Sequence, residues 1–253
     1  MNEETTFLQE RQTIDDILCE HRREEFFVIV GGSTYEEDEK LLLDLHQLLV
    51  SKRWENNKTP KKVLSILAPR KMEHVGSLER NVEKRGLKAF RWSSTTNMDN
   101  SSSDEIRKRM PRDTDVLLID TVGILCLFYE NADCIYVGGG LTPASVGGHN
   151  FMEALNAKYS SSRPMTVFTG SCLSSNMEAM LEVLEKHGCE VPHQVSKGSN
   201  CGARELYDAL DASVRKNGKY SAESMATKGN VQSVQEVLIE NVVADLKLSK
   251  VIL

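Results

Sequence analysis

The chain has 253 residues, 40% hydrophobic and 27% charged, a globular balance with enough apolar material for a sizeable core. Its 31 basic and 37 acidic residues leave a formal charge of −6, which argues against nucleic acid as the main partner, because phosphate-backbone binding needs clustered Lys and Arg. No apolar run reaches the roughly 18 residues that a membrane-spanning helix requires, and the acidic start MNEETTFLQE is neither a signal nor a transit peptide, while peripheral membrane contact stays open.

In chain order, strands and helices alternate. Residues 1–25 read as a connecting helix. Phe26 to Val30 is a β-branched and aromatic run that reads as a strand ending at Gly31-Gly32-Ser33-Thr34. Glu36 to Val50 places leucines at 41, 42, 45, 48 and 49, which is helical spacing. Val63 to Leu67 is the next strand, ending at Pro69-Arg70, and Glu73 to Arg85 is a charged helix with Gly86 just past its end. Leu87 to Trp92 reads as a third strand. Residues 93–105, SSTTNMDNSSSDE, are polar and low in complexity and read as an exposed loop. Val116 to Ile119 is strand-like, Gly123 to Tyr129 a short apolar helix, and Cys134 to Val137 a buried strand. Met165 to Phe168 is another strand, with helices over Met177 to His187 and Ala203 to Lys216. Residues 224–253 close the chain with an amphipathic helix centred on Val231 to Leu248.

This alternation predicts an α/β fold, a Rossmann-like and mainly parallel sheet with helices on both faces, in a single domain. Ligands of such sheets bind beyond the carboxyl ends of the strands. Four landmarks fall there: Gly31–Thr34, Pro69–Arg70, Asp120–Gly123 and Gly138–Asn150. The last is the richest. Three glycines follow the Cys134–Val137 strand, a second pair follows at Gly147-Gly148, and His149-Asn150 opens a helix. Glycines let a backbone approach a ligand closely, and a helix N-terminus behind them suits a phosphate. A plain helix cap needs none of these glycines, so this segment reads as a ligand loop rather than only as a capping box from Asn150 to Glu153.

The other candidates are less decided. Ser33 and Thr34 either cap the helix that Glu36 begins or hold an anionic ligand, and the spacing Ser-x-x-Glu favours the cap. Arg70 suits a phosphate or carboxylate, with Lys71 beside it, yet a solvated arginine is the commoner case. His149 reads as a general acid, a phosphate donor or a turn residue. Asp115, Asp120 and Asp133 are not at metal-loop spacing, so no metal is expected. Cys19, Cys126, Cys134, Cys172, Cys189 and Cys201 are scattered with no C-x-x-C pair, as thiols of a reducing compartment rather than a zinc site.

Taken together and in order, the landmarks resemble the C-terminal half of the 3-deoxy-D-manno-octulosonic acid (Kdo) transferases, glycosyltransferases of the two-domain GT-B type. That family shows Gly-Ser-Thr-His, Pro-Arg-His, Asp-Thr-Met-Gly-Glu-Leu, Val-Gly-Gly-Ser and Gly-Gly-His-Asn-x-x-Glu. This chain has Gly32-Ser33-Thr34-Tyr35, Pro69-Arg70-Lys71, Asp120-Thr121-Val122-Gly123-Ile124-Leu125, Val137-Gly138-Gly139-Gly140 and Gly147-Gly148-His149-Asn150-Phe151-Met152-Glu153. Ala154, Thr169-Gly170 and Cys172 look more like plant-type members. The resemblance implies a CMP-Kdo donor, a lipid A precursor as acceptor, inversion, no cofactor and no metal. It implies that Pro69, Arg70, Val122, Gly123, Ile124, Gly148, His149, Asn150, Phe151, Met152 and Glu153 bind CMP, with Ser33 and Thr34 close to the sugar or phosphate. Three positions depart: Tyr35 and Lys71 replace histidines, and Ile124 replaces a glutamate. The family's N-terminal half, with the acceptor surface and the catalytic base, has no counterpart in these residues, so no catalytic residue is expected here. The chain alone is expected to be incomplete as a transferase, or to be a non-catalytic nucleotide- or sugar-binding module. An NAD-dependent enzyme is disfavoured, because no G-x-G-x-x-G follows the first strand and no acidic residue ends the second.

Overall fold

In a computed structural model, the residues described are 8, 10–18, 26–52, 62–96, 110–142, 146–160, 165–196 and 199–220. Seven strands form one sheet: β1 (Phe26–Thr34), β2 (Lys62–Pro69), β3 (Ala89–Arg91), β4 (Val116–Leu118), β5 (Cys134–Val137), β6 (Thr166–Gly170) and β7 (His193–Val195). Their order is β3-β4-β2-β1-β5-β6-β7, and every neighbouring pair is parallel. This is the Rossmann-like α/β arrangement expected from the alternation.

Burial on both faces explains the apolar strand sequences. Successive side chains of β1 point to opposite sides. Val28 and Val30 pack with Ile14, Leu18, Phe128, Leu155 and Leu181, from residues 10–18 (helix α1) and from helices Leu125–Tyr129 (α5), Met152–Ser160 (α6) and Ser175–Lys186 (α7). Ile29 packs the other way, with Leu42, Leu45, Leu78 and Leu206 from helices Glu36–Ser51 (α2), Val75–Lys84 (α3) and Ser199–Tyr220 (α8). A single helical turn, Ser93–Thr96 (α4), follows β3.

Several sequence boundaries move. The first strand does not end at Gly31; it continues through both glycines to Thr34, because helix side chains lie directly on that backbone. A Cβ on Gly31 would come within 2.4 Å of Leu42, and one on Gly32 within 1.7 Å of the Tyr129 hydroxyl. The stretch 93–105 begins as the α4 turn, with Ser93 half-buried; residues 97–105 lie outside the described part, as do the whole of the proposed 224–253 helix and Cys19. Strand β7 had no recognisable signal, being three residues long with two of them exposed. Among the described residues no helix is long and apolar enough to cross a membrane.

One core residue ties stability to pH. His46 on α2 is buried and faces Ser65 on β2, with Nδ1 2.9 Å from the hydroxyl, while its Nε2 has no partner. Burial lowers its pKa to about 4, opposed only partly by the Asp115 charge. A histidine held neutral in the fold but free to protonate at about 6.5 when unfolded stabilises the fold above that value. The contribution is lost as pH falls toward 4. Between pH 7 and pH 5 this group alone should cost about 2 kcal/mol of unfolding free energy. Denaturant titrations at the two pH values should show a flatter dependence for His46→Asn; an unchanged dependence would refute the assignment.

Candidate functional site

The sheet changes direction at β1. From β1 the chain crosses over α2 to β2 on one side, while β5 pairs with the other edge of β1 and its onward connection, α6, lies on the opposite face. Helices leaving neighbouring strands on opposite faces open a crevice at the carboxyl ends, the usual ligand position in such sheets. All four landmark loops emerge along this rim, in the strand order β4-β2-β1-β5.

The end of β1 is held by a charge that sequence reading passed over. Its register against β2 slips between Gly32 and Thr34, and Ser33 sits between them at φ +52. Ser33 does not cap α2. The N-cap is Tyr35, whose N–H donates to Asp38 Oδ2 at 3.0 Å. The same oxygen accepts the Gly139 N–H at 3.0 Å, and Oδ1 accepts the Tyr136 hydroxyl at 3.0 Å. Asp38 is 1% exposed. Burial raises its pKa, opposed by these three donors. A signal existed in the sequence: Asp38 lies four and seven residues before Leu42 and Leu45, on the face that α2 buries. Beside it, Thr34 donates to buried Glu39 at 3.2 Å, and Glu39 meets His74 Nε2 at 3.0 Å. Burial pushes the Glu39 carboxyl up, against the charge and hydrogen bond of His74.

The glycine loop is seated on that carboxylate. A Cβ on Gly138 would fall 2.6 Å from the Ser33 carbonyl oxygen and 2.7 Å from Asp38 Oδ2. Gly139 adopts φ +90, which turns its N–H inward to Asp38. Three of these five glycines spend their N–H groups within the protein. Gly138 donates to Gly32, Gly139 to Asp38, Gly148 to the Gly139 carbonyl and His149 to the Gly138 carbonyl. Two of these N–H groups tie the loop to β1 and α2 and two bind its own carbonyls. The first-turn amides of α6 have no intrahelical acceptor.

That helix begins at Met152, two residues later than the sequence suggests. Asn150 Oδ1 accepts the Met152 N–H at 2.9 Å, one half of the anticipated box. Glu153 is exposed and makes no return bond, although its charge reaches Tyr129 and Cys126 across to α5. Phe151 is fully buried and anchors the turn. His149 stacks on Tyr35, with ring centroids 5.7 Å apart and planes 11° apart, and a Cβ on Gly139 would come within 2.8 Å of its Cδ2. Its Nε2 is buried without a hydrogen-bond partner. Burial, and then the charge of Arg70, lower its pKa, so the imidazole is held neutral.

Arg70 is exposed at the end of β2, with its backbone N–H on the Thr34 carbonyl at 2.9 Å and no ion pair for its guanidinium among the described residues. Pro69 is the last residue of β2 and pairs with Thr34. On the β4 side, Val122 is 85% exposed, Gly123 takes φ +94, and Thr121 Oγ1 is a second buried atom without a partner. Ile124 differs: it is 2% exposed and belongs to the core, so its side chain does not face the rim. Asp120 accepts the Ser93 N–H at 2.7 Å and its hydroxyl at 2.5 Å, Asp133 accepts the Val28 N–H, and Asp115 accepts the Lys88 N–H. Each thus fastens a strand or loop. Among the described residues no group of three or more metal-ligating side chains gathers.

The fold and rim define a Rossmann-like α/β domain with a crevice at the carboxyl ends of its strands. The C-terminal CMP-Kdo binding domain of WaaA from Acinetobacter baumannii superposes with a TM-score of 0.57 over 90% of this chain and 98% of that one, at 22% identity. By sequence, the chain is similar to a 3-deoxy-D-manno-octulosonic acid transferase of Chlamydia muridarum, 33% identical over 99 residues. It is also similar to a bifunctional glycosyltransferase/methyltransferase of Fusobacterium nucleatum, 26% identical over 95 residues. These stretches are 39% and 38% of this chain, and 19% and 13% of the relatives' lengths. No protein-family model matches. The motif resemblance to the Kdo transferases is thus met by an independent fold match and by a sequence relative of that name.

The seating of the glycine loop is testable without a ligand. Gly138→Ala should destabilise by about 1–3 kcal/mol, since the new methyl group meets a backbone oxygen and a carboxylate held by three hydrogen bonds rather than a yielding side chain. Thermal unfolding should show the loss; wild-type stability would mean that the loop has slack.

Proposed function

We propose that the rim binds a CMP-sugar, with CMP-Kdo as the donor, and that the chain serves as the donor-binding part of a glycosyltransferase that adds Kdo to a lipid A precursor in lipopolysaccharide synthesis. The observation that carries this reading is a cluster at the sheet's switch point. There the Arg70 guanidinium, without an ion pair among the described residues, lies near enough to His149 for its charge to lower the imidazole's pKa, and α6 begins three residues after that histidine, whose Nε2 is buried without a partner. Such a cluster suits one compact anion with a polar, uncharged contact beside it. The motif order and the WaaA likeness supply the nucleotide's identity.

In this reading the anomeric carbon–oxygen bond of the donor breaks and its electron pair goes to the phosphate of departing CMP. Arg70 and the first-turn amides of α6 stabilise that growing charge, and they are oriented before it appears. Neutral His149 contributes a hydrogen bond without adding charge. Glu153, exposed on the first turn of α6, is placed to take a ribose hydroxyl. The acceptor hydroxyl and the base that deprotonates it lie outside this set of residues. A second reading, a nucleotide- or sugar-binding module without transfer activity, draws on Ile124, which points into the core where the resembling family has a carboxylate.

The test is a thermal-shift titration with CMP and CMP-Kdo, with UMP and AMP as comparators. Cytidine nucleotides should raise the melting temperature. Arg70→Ala should weaken binding by about 1–3 kcal/mol, as for a charge-assisted hydrogen bond. No shift at millimolar CMP and CMP-Kdo would end the donor assignment.

A further inference from the structure

We infer that Asp38 is a positioning residue for His149, acting through two groups beside its ring. The reasoning starts from one oxygen. Asp38 Oδ2 accepts the N–H of Tyr35 and the N–H of Gly139, each at 3.0 Å. Tyr35 supplies the aromatic face on which His149 stacks. Gly139 lies close to the Cδ2 and Nε2 atoms of the ring; a Cβ there would stand 2.8 Å from His149 Cδ2 and 3.1 Å from Nε2. The two neighbours of the imidazole belong to different strand ends, β1 and β5, and Asp38 is the atom group they share. Tyr136, on β5 beneath the loop, fixes the other carboxylate oxygen, so the carboxylate cannot rotate to favour one neighbour. The ring's Nε2 is buried without a hydrogen-bond partner. A side chain with an unmatched polar atom is useful to a ligand only if its direction is fixed, and here the direction is set by Asp38.

The geometry also says which property of Asp38 matters. Both backbone donors converge on a single oxygen. An asparagine can present its carbonyl oxygen to both, while its NH2 group donates to the Tyr136 hydroxyl, which turns to accept. The positioning role therefore asks for an acceptor at that point and not for a negative charge.

What His149 then does for a ligand rests on the donor-site reading; how it is held does not. The experiment follows the His149 ring by ¹H–¹⁵N correlation on the full chain, assigned against His149→Phe, together with CMP affinity. In Asp38→Ala the His149 ring signals should move, and CMP should bind on the order of 10- to 100-fold more weakly, the scale seen when supports of a contacting group are removed. Asp38→Asn should keep both near wild type. Leu49→Ala, a core truncation at the far end of α2, should lower stability and leave the ring signals alone. Tyr35→Ala removes one neighbour of the ring without touching the core and should also move the ring signals. It decides the matter if Asp38→Ala does not fold. Unmoved ring signals in Tyr35→Ala and in a folded Asp38→Ala would overturn the proposal, and so would Asn proving as damaging as Ala. If the ring signals move as expected but wild-type protein ignores CMP, the positioning role stands and the donor reading falls.

Discussion

A buried carboxylate that takes three hydrogen bonds holds the rim together. Removing Asp38 from water carries a large penalty unless its oxygens are matched by donors, and here three donors from three segments meet them. The constraint works in both directions. The β1–α2 turn, strand β5 and the glycine loop must each deliver a donor to the same small volume, and once they do, none can shift without exposing an unmatched charge. The positive φ of Ser33 and the inward N–H of Gly139 are conformations the backbone adopts to reach that point. The absence of any room for a Cβ on Gly138 follows from the same convergence.

This arrangement changes how the glycine-rich segment is understood. Gly138 lies against the Ser33 backbone and Gly139 is bonded to Asp38, so these glycines let one backbone lie on another. In the proposed donor site the binding groups come from beside the loop: the imidazole of His149, the first turn of α6 and an arginine from the neighbouring strand end. The imidazole and the arginine are near enough to influence each other, since the Arg70 charge helps keep His149 neutral. A cation and a neutral donor side by side is a combination suited to one anion and unsuited to two adjacent ones.

Much of the fold was legible because period and punctuation agree. The strand at Cys134–Val137 matches its observed limits, and α2 differs by one residue, since leucines at 41, 42, 45 and 49 leave no other period open. Boundaries failed where tertiary contact overrides local rules. Gly31 and Gly32 look like the end of a strand but are its interior, because Leu42 and Tyr129 pack upon them. The rim position of Arg70 and His149 was readable from strand-end logic. Asp38 was not, because in the run Glu36-Glu37-Asp38-Glu39 it looks like one more acidic residue favouring a helix start. Ile124 shows the limit of motif order: its side chain belongs to the core, which order alone does not reveal.

The sheet's outline has a consequence for behaviour at high concentration. Its longest strands, β1 and β2, lie inside, while both outer strands, β3 and β7, are only three residues long. An open edge is a template on which another chain can add a strand, and the number of bonds gained scales with edge length. Here a second molecule would find three residues on either side. On one side Arg91 is tied to Glu79, and on the other His193 and Gln194 are exposed and polar. The architecture therefore protects itself from growing into ribbons by tapering, and the apolar strands that would make such growth dangerous are kept out of reach.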